Sequence, residues 1–406
     1  MMAPMSASDI ILVLVVVTAI SFDFTNGFHD TANAVATAIA TGALKPRIAV
    51  LMSACLNLVG AFISIKVAAT IAKGIVDANV LSGTTGLSLV FAALIGAVAW
   101  NLITWYFTIP SSSSHALIGG IIGATIVASG TGAVKFRPLV QTVLAPAIMS
   151  PVICAVVALI GTFCAYRLVR LLGDREAIRG YRAGQIGSAA LVSLAHGTND
   201  AQKTMGVISL ALIANGNISS THFAVPLWVK LSCALAIASG TAIGGWRIIN
   251  TMGNRLTTVE SPQGFSAESA SASVILASSY YGYPLSTTHV VSGGVIGSGL
   301  GKRLASVHWG VAGQMATAWV FTIPAAGVMG AFAWGVSDLF GKGSVVGSFI
   351  IAILAAAAAF TLFRLAQRNN ISAADLDRSH VTPEDEARSG GAALTAPARA
   401  AAGAAA

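Results

Sequence analysis

Four short stretches carry most of the chemistry this chain could perform. They are "NGFHDTANA" at 26–34, "PSSSSH" at 110–115, "HGTNDAQKT" at 196–204 and "PLSTTH" at 284–289. Each interrupts or borders a long apolar run. An ionised carboxylate at mid-membrane costs about 2.5–3.5 kcal/mol even on an insertion scale, so Asp30 and Asp200 must be offset or used. Asp30 and Asn33 stand three residues apart and share a helix face, as do Asp200 and Lys203. Carboxylate, amide oxygen and carbonyls freed by a glycine are hard oxygen ligands for Na⁺, or proton acceptors. Lys203 either balances an anion or simply pairs with Asp200.

The two proline-led clusters point to anions. Proline suits a helix start, and Ser or Thr suits the cap and first turn. Such a start inside a membrane offers backbone N–H groups, hydroxyl donors and the positive end of a dipole. Two facing copies, from Ser112, Ser113, Ser114 and from Ser286, Thr287, Thr288, would surround a tetrahedral oxyanion. One hydroxyl cluster alone reads better as glue between helices. A paired, proline-led cluster followed by His reverses that preference. His115 and His289 at the matched positions either donate to the anion, relay protons, or bond a backbone carbonyl. Glu268, ahead of the second cluster with Glu260 and Gln263, either joins a cation path or is a loop-side carboxylate.

The elements that position these residues are membrane helices. The chain has 406 residues, 55% hydrophobic and 9% charged, with mean hydropathy +0.79. A soluble chain carries about 25% charged residues. Long apolar runs fall at about 9–44, 46–73, 139–170, 184–214, 222–250, 307–338 and 345–367. They are too long and uniform for barrel strands. The first has no basic n-region or clean cleavage site and reads as a retained helix. Regions 86–128 and 266–300 are broken in the middle, each either a re-entrant hairpin or two spans. The net charge of +8 sits mostly in short loops, where it sets topology, so no nucleic-acid binding is expected. The basic loops at Lys45 and Arg47, Arg167–Arg182, Arg247 and Arg255, Lys302 and Arg303, and Arg364 with Arg368 fall on one, cytoplasmic side. Lys73, Lys135, Arg137 and Lys342 fall opposite, which puts the N-terminus outside and the C-terminus in the cytoplasm. The four cysteines lie in apolar runs and read as small core residues rather than disulfides or a metal site.

The motifs repeat in one order at nearly constant offset. "NGFHD" matches "HGTND", "PSSSSHALIGGIIG" matches "PLSTTHVVSGGVIG", and Gln141 with Pro151 matches Gln314 with Pro324. Each unit holds three spans and a hairpin, so the second copy runs upside down. The expected fold is an all-α polytopic membrane protein of two inverted-topology repeats. Each has three spans plus a broken or re-entrant helical hairpin, and one extra C-terminal span follows. The first repeat covers 1–170 and the second 184–338. An Arg-rich cytoplasmic linker at 171–183 joins them, 345–367 is the extra helix, and 369–406 is a disordered cytoplasmic tail. Interrupted helices in inverted repeats are the architecture of secondary transporters, with the site near the midplane.

These motifs resemble the inorganic phosphate transporter family of the Pit type. The likeness rests on "GFHDTANAVA", "PSSSSHALIG", "AHGTNDAQKTMGV" and "ESPQGFSAE…PLSTTHV" and covers about residues 8 to 367. The short central loop is similar to the compact bacterial members. The resemblance implies ion-coupled phosphate import across the plasma (inner) membrane. It places Asp30, Asn33, Asn199, Asp200 and Gln202 with the coupling ion, and the six tip hydroxyls with phosphate. His29 stands where sodium-coupled relatives usually have Asn. It resembles the proton-coupled type, in which neutral metal–phosphate complexes are carried and a divalent metal is a co-substrate. His29, His115, His289, Lys203 and Glu268 are the expected relays or donors.

No resident cofactor or metal is expected, and the coupling ion is H⁺ or Na⁺. The partners are phosphate and the lipid bilayer, with a homodimer left open. Alternatives are a sodium-coupled symporter, a sulfate permease, an intramembrane Ser–His–Asp hydrolase and a passive anion channel. Phosphate at neutral pH keeps a hydroxyl and needs an acceptor, which the aspartates supply and sulfate does not require. A hydrolase needs one nucleophile set, not two inverted ones. No G-x-x-x-x-G-K-[ST] motif appears, so ATP drive within this chain is not expected.

Overall fold

A computed structural model describes residues 6–74, 76, 78–219, 223–302, 307–367 and 371–378. The chain opens with one unbroken helix, α1 (Ala7–Ala40), started by a Ser6 capping box with Asp9. Then come α2 (Pro46–Gly60), α3 (Lys66–Gly74), α4 (Gly83–Tyr106) and α5 (Ser113–Ser129). A short α6 (Phe136–Leu139) runs through a π-helical turn, Val140–Leu144, into α7 (Ala145–Leu172). The second half begins with α8 (Asp174–Ala214), of 41 residues. It continues through α9 (Leu227–Ile243), α10 (Trp246–Asn250), α11 (Ser261–Tyr281), α12 (Thr287–Lys302) and α13 (Trp309–Asp338). Last are α14 (Val345–Ala366) and a short α15 (Ala373–Arg378). Among the described residues, 5 helices are long and apolar enough to cross a membrane, or up to 6 if the bent α9–α10 pair is one span.

Several expectations are corrected. The stretch 171–183 is not a separate linker: from Asp174 on, it forms the first turns of α8. The run at 46–73 is two helices, because α2 stops at Gly60 and α3 restarts at Lys66. The run at 222–250 is also two, bent by 63° at Gly244 and Gly245. Within the tail expected to be disordered, residues 373–378 form α15, which packs on α2 and buries Leu376. The rest of that tail, with Arg303 and Arg368, lies outside the described residues. Of the cysteines, Cys154 and Cys233 are buried, whereas Cys55 and Cys164 are exposed on the outer faces of their helices.

Two helical hairpins, α4–α5 and α11–α12, occupy the regions expected to be broken. Each is held chiefly by a helix from the other half of the chain. α13 packs along α5 and α4, and α7 packs along α12 and α11. The long central helices cross over in the same way: α9 lies on α1, and α2 lies on α8. These crossings are close enough to require glycine. A Cβ at Gly27 would run into the Ile237 and Thr241 backbone of α9, and one at Gly197 into the Asn57 backbone of α2. Both glycines therefore sit inside continuous helices and serve close packing, not a helix break. The Gly27 carbonyl is not free either, since the Thr31 hydroxyl donates to it and the Thr241 hydroxyl stands 3.3 Å away.

Two apolar clusters flank the middle of the molecule. One gathers Ile11, Val15, Ala19 and Phe22 of α1 with α4, α5 and α9. The other gathers Val35 and Ile39 of α1 with Val192, Ile275 and Val291. The polar residues of the four motifs lie between them.

The glycine packing generates a contrast within one helix. Gly197→Ala should destabilise the protein by about 1–3 kcal/mol, because the backbone of α2 cannot yield to a new methyl. At Gly187, in the same helix, an added Cβ would meet nothing within 4 Å. Gly187→Ala should be neutral or stabilise by roughly 0.5–1 kcal/mol through helix propensity. Thermal unfolding of the purified variants in detergent checks both.

Candidate functional site

The four motifs converge on two buried carboxylates. Asp30 of α1 is 2% exposed and Asp200 of α8 is 0% exposed. Ser112 caps α5 by accepting from the His115 N–H (3.1 Å), and Ser286 caps α12 by accepting from the His289 N–H (3.2 Å). Those caps leave the N–H groups of Ser113 and Ser114, and of Thr287 and Thr288, without partners in their own helices. The positive ends of both helices are thus aimed at the aspartates.

The tip hydroxyls donate to the carboxylates from both sides. Ser113 Oγ shares its one proton between Asn26 Oδ1 (2.6 Å) and Asp30 Oδ2 (2.9 Å). Thr288 Oγ1 lies 3.4 Å from Asp30 Oδ1, and Thr287 Oγ1 lies 3.4 Å from Asp200 Oδ2. Asn26 Nδ2 donates to Asp200 Oδ2 (3.1 Å), so the first motif reaches across to the second motif's aspartate. Asn33 Nδ2 donates to Thr288 Oγ1 (3.0 Å) and Thr287 Oγ1 (3.3 Å) and holds the second tip in place. His29 Nδ1 is 2.6 Å from Asp30 Oδ1, and its Nε2 is 3.2 Å from Thr104 Oγ1.

Lys203 links the two tips. Its ammonium donates to Asp200 Oδ1 (2.7 Å), Ser114 Oγ (2.5 Å) and the Leu285 carbonyl (2.8 Å). That accounts for all three of its donors. Both readings of Lys203 from the sequence meet here, because it is an ion-pair partner and also touches a hydroxyl of the first tip and the backbone carbonyl just before the second.

Other expected residues lie elsewhere. Gln202 accepts from the Val67 N–H (2.9 Å) and donates to the Thr198 carbonyl, so it caps the start of α3. Asn199 donates to Ser279 Oγ (2.9 Å) and the Tyr283 carbonyl (3.2 Å) and anchors the end of α11. Glu268 is buried on α11 but faces Thr37 Oγ1 and Ser188 Oγ, each at 2.5 Å, on the side of the second apolar cluster. It is not loop-side, and it does not contact Asp30 or Asp200. His115 and His289 touch each other edge to face with centroids 4.7 Å apart, and His289 stacks on Trp319. In this arrangement they pack the hairpins together. At the end of α11 outside the site, the Glu260 carboxyl is held below the ordinary range. Burial alone would raise it, but the Lys302 ammonium and Tyr166 hydroxyl outweigh that.

Some site residues escaped the sequence reading. Asn26 bridges the two halves. His196 lies 3.5 Å from Asp200 Oδ2 and is oriented by Asn57 Oδ1 (3.1 Å). The two occupy matched positions in "NGFHD" and "HGTND", and that match was the available signal. Ligand atoms of Asp30, His196 and Asp200 all lie within 4.8 Å of one another, a spacing that suits a cation. Asp23, a buried acid in the same helix as Asp30, was also passed over.

Comparisons with known proteins place the chain in a family. The model of the phosphate transporter family matches residues 26–173 and 169–330. A probable low-affinity inorganic phosphate transporter of Mycobacterium bovis is 55% identical over 349 residues, 86% of this chain and 83% of that protein. A protein of the same description from Bacillus subtilis is 44% identical over 329 residues, 80% of this chain and 96% of the relative. The fold is similar to that of a solved sodium-dependent phosphate transporter, with TM-score 0.74 and 24% identity over 81% of this chain and 99% of that one. With family matches in both halves of the chain and a relative sharing 55% of the aligned residues, this protein belongs to the phosphate transporter family, whose members are transport proteins and not enzymes.

Proposed function

We propose that the chain is a secondary active transporter that imports inorganic phosphate with protons. One observation carries this reading: the two hydroxyl-lined helix starts meet at a pair of buried carboxylates, with Lys203 spanning both tips. The tips supply donors for phosphate oxygens. The aspartates accept the hydroxyl that phosphate retains and sulfate lacks.

The same contacts supply a coupling mechanism. While Asp30 and Asp200 are ionised, they hold Ser113, Thr287, Thr288 and Lys203 as their own donors. A protonated carboxyl needs fewer donors, so proton uptake releases hydroxyls and the ammonium to the anion. His29 on Asp30 and His196 beside Asp200 supply imidazole relays. The Asp30, His196 and Asp200 cluster also suits a divalent ion entering with phosphate as a neutral complex. In this reading the two halves, α1–α7 and α8–α13, are inverted repeats, supported by their reciprocal packing. The N-terminus lies outside the plasma membrane and the C-terminus in the cytoplasm, as the loop charges favour.

Purified protein in liposomes should accumulate labelled phosphate against its gradient when an inward proton gradient is imposed. Equilibration without accumulation would remove symport, response to sodium alone would reassign the coupling ion, and preference for sulfate would reassign the substrate. Asp30→Asn and Asp200→Asn should each abolish coupled uptake in protein that still inserts; normal uptake by either variant removes that residue from the mechanism. Lys203→Met should leave Asp200 without its counter-charge, and breaking a buried pair from one side costs about 3–5 kcal/mol. Adding Asp200→Asn should restore part of that loss in thermal unfolding, since the two residues are in contact and their effects do not add.

A further inference from the structure

Asp23, like Glu268, is a buried acid that the proposed mechanism does not use, but unlike Glu268 it has no hydroxyl donors of good geometry. It lies on α1 seven residues before Asp30, two turns or about 10 Å along the axis. It is 0% exposed, and neither carboxylate oxygen has a hydrogen-bond partner of good geometry. No ion pair among the described residues involves it, whereas Asp30 has His29 and Asp200 has Lys203. The Thr204 hydroxyl of α8 and the Cys233 thiol of α9 stand beside it. Thr204 Oγ1 is likewise buried without a partner, and Cys233 is a free thiol. Around them is the first apolar cluster, including Ala19, Phe22, Met205 and Ile237.

The surroundings offer no permanent counter-charge. From α8, Asp200 and Lys203 are the charged groups felt at Asp23, and their own contact already pairs them. From α9 the Cys233 thiol stands beside Asp23, while Lys230, about one turn earlier on that helix, is not among the charges felt there. Of the titratable groups on other elements packed against α1, Glu268 meets it at Thr37, and Gly245 and Gly253, near Arg247 and Arg255, abut it at Phe28 and Ala36. Tyr106, Arg47 and Arg364 sit at helix ends, and His289 of α12 stacks on Trp319. An ionised carboxylate buried in such a place is strongly unfavourable, and a bound proton removes the cost.

We infer that Asp23 is a proton-binding residue of the transport cycle, separate from the Asp30–Asp200 pair. It takes a proton from water when its face of α1 opens, holds it as a neutral carboxylic acid between Thr204 and Cys233 while the helices are closed, and returns it to water on the opposite face. Asp23 lies within reach of the charges of Asp200 and Lys203, so a proton bound there is held where α1 and α8 meet and is felt at the groups that bind the anion. This inference rests on the proton-coupled reading above and adds a second acid to it.

The test separates coupling from translocation. Asp23→Asn in liposomes should retain phosphate–phosphate exchange at the wild-type order of magnitude. It should lose accumulation driven by an inward proton gradient, so that internal phosphate rises only to the external level. The infrared spectrum of the wild type should contain a protonated-carboxyl band at neutral pH that Asp23→Asn lacks. Asp23→Ser is the second variant should the first not be recovered from the membrane. Full gradient-driven accumulation by either variant overturns the inference. Loss of exchange together with accumulation makes Asp23 a structural residue and also overturns it. If the wild type itself fails to respond to a proton gradient, the coupling reading falls first and the inference with it.

Discussion

Two carboxylates and one ammonium, all withdrawn from water, govern this structure. A buried charge is tolerated only when it is paired and its remaining lone pairs are satisfied. Asp200 meets that demand with Lys203, Asn26 and Thr287, and Asp30 with His29, Ser113 and Thr288. These donors come from α1, α5, α8 and α12, so four helices must meet at one place. Removing any of them would leave a buried charge short of partners.

That demand explains the cross-over packing. The hydroxyl tips must be held at fixed depth, and the hairpins that carry them are clamped by helices from the opposite half, α13 on α5 and α7 on α12. The central helices approach through glycine, so that neighbouring hydroxyls of one tip reach both acids, Thr288 to Asp30 and Thr287 to Asp200, and Asn26 of α1 reaches Asp200. A polar relay from His196 through Asn57 to Thr241 and the Gly27 carbonyl ties α8, α2, α9 and α1 together beside the site. In the proposed cycle this coupling matters, because loosening one tip alters the donors of both aspartates.

The pairing of motifs was legible because matched residues recur in order. Ser113, Thr287, Thr288, Lys203, Asp30 and Asp200 do come together. The reading of glycine went astray for a physical reason. Gly27 and Gly197 have the same composition signal whether they loosen a helix or admit a neighbouring backbone, and only the neighbour decides. The observed breaks, after Gly60 and at Gly244 and Gly245, lie in runs whose hydropathy is continuous. Gln202 was placed with the coupling ion by the family resemblance, yet its side chain points to the start of α3. Asn26 and His196 were visible as an exchanged pair, but their reach across the repeat boundary was not.

By itself, the sequence determined what is local: residue type, hydropathy, the charged loops and the order of the duplicated motifs. Those properties require a membrane protein of long helices with a costly pair of acids inside it. The tertiary structure decided which donor meets which acid. Thr288 and Asp30 are 258 residues apart, and Lys203 and Ser114 are 89 apart. Whether such groups touch depends on helix crossings set by close backbone contact, which no single segment encodes. The same crossings decided that Glu268 faces Thr37 and Ser188, and that Asp23 has no counter-charge.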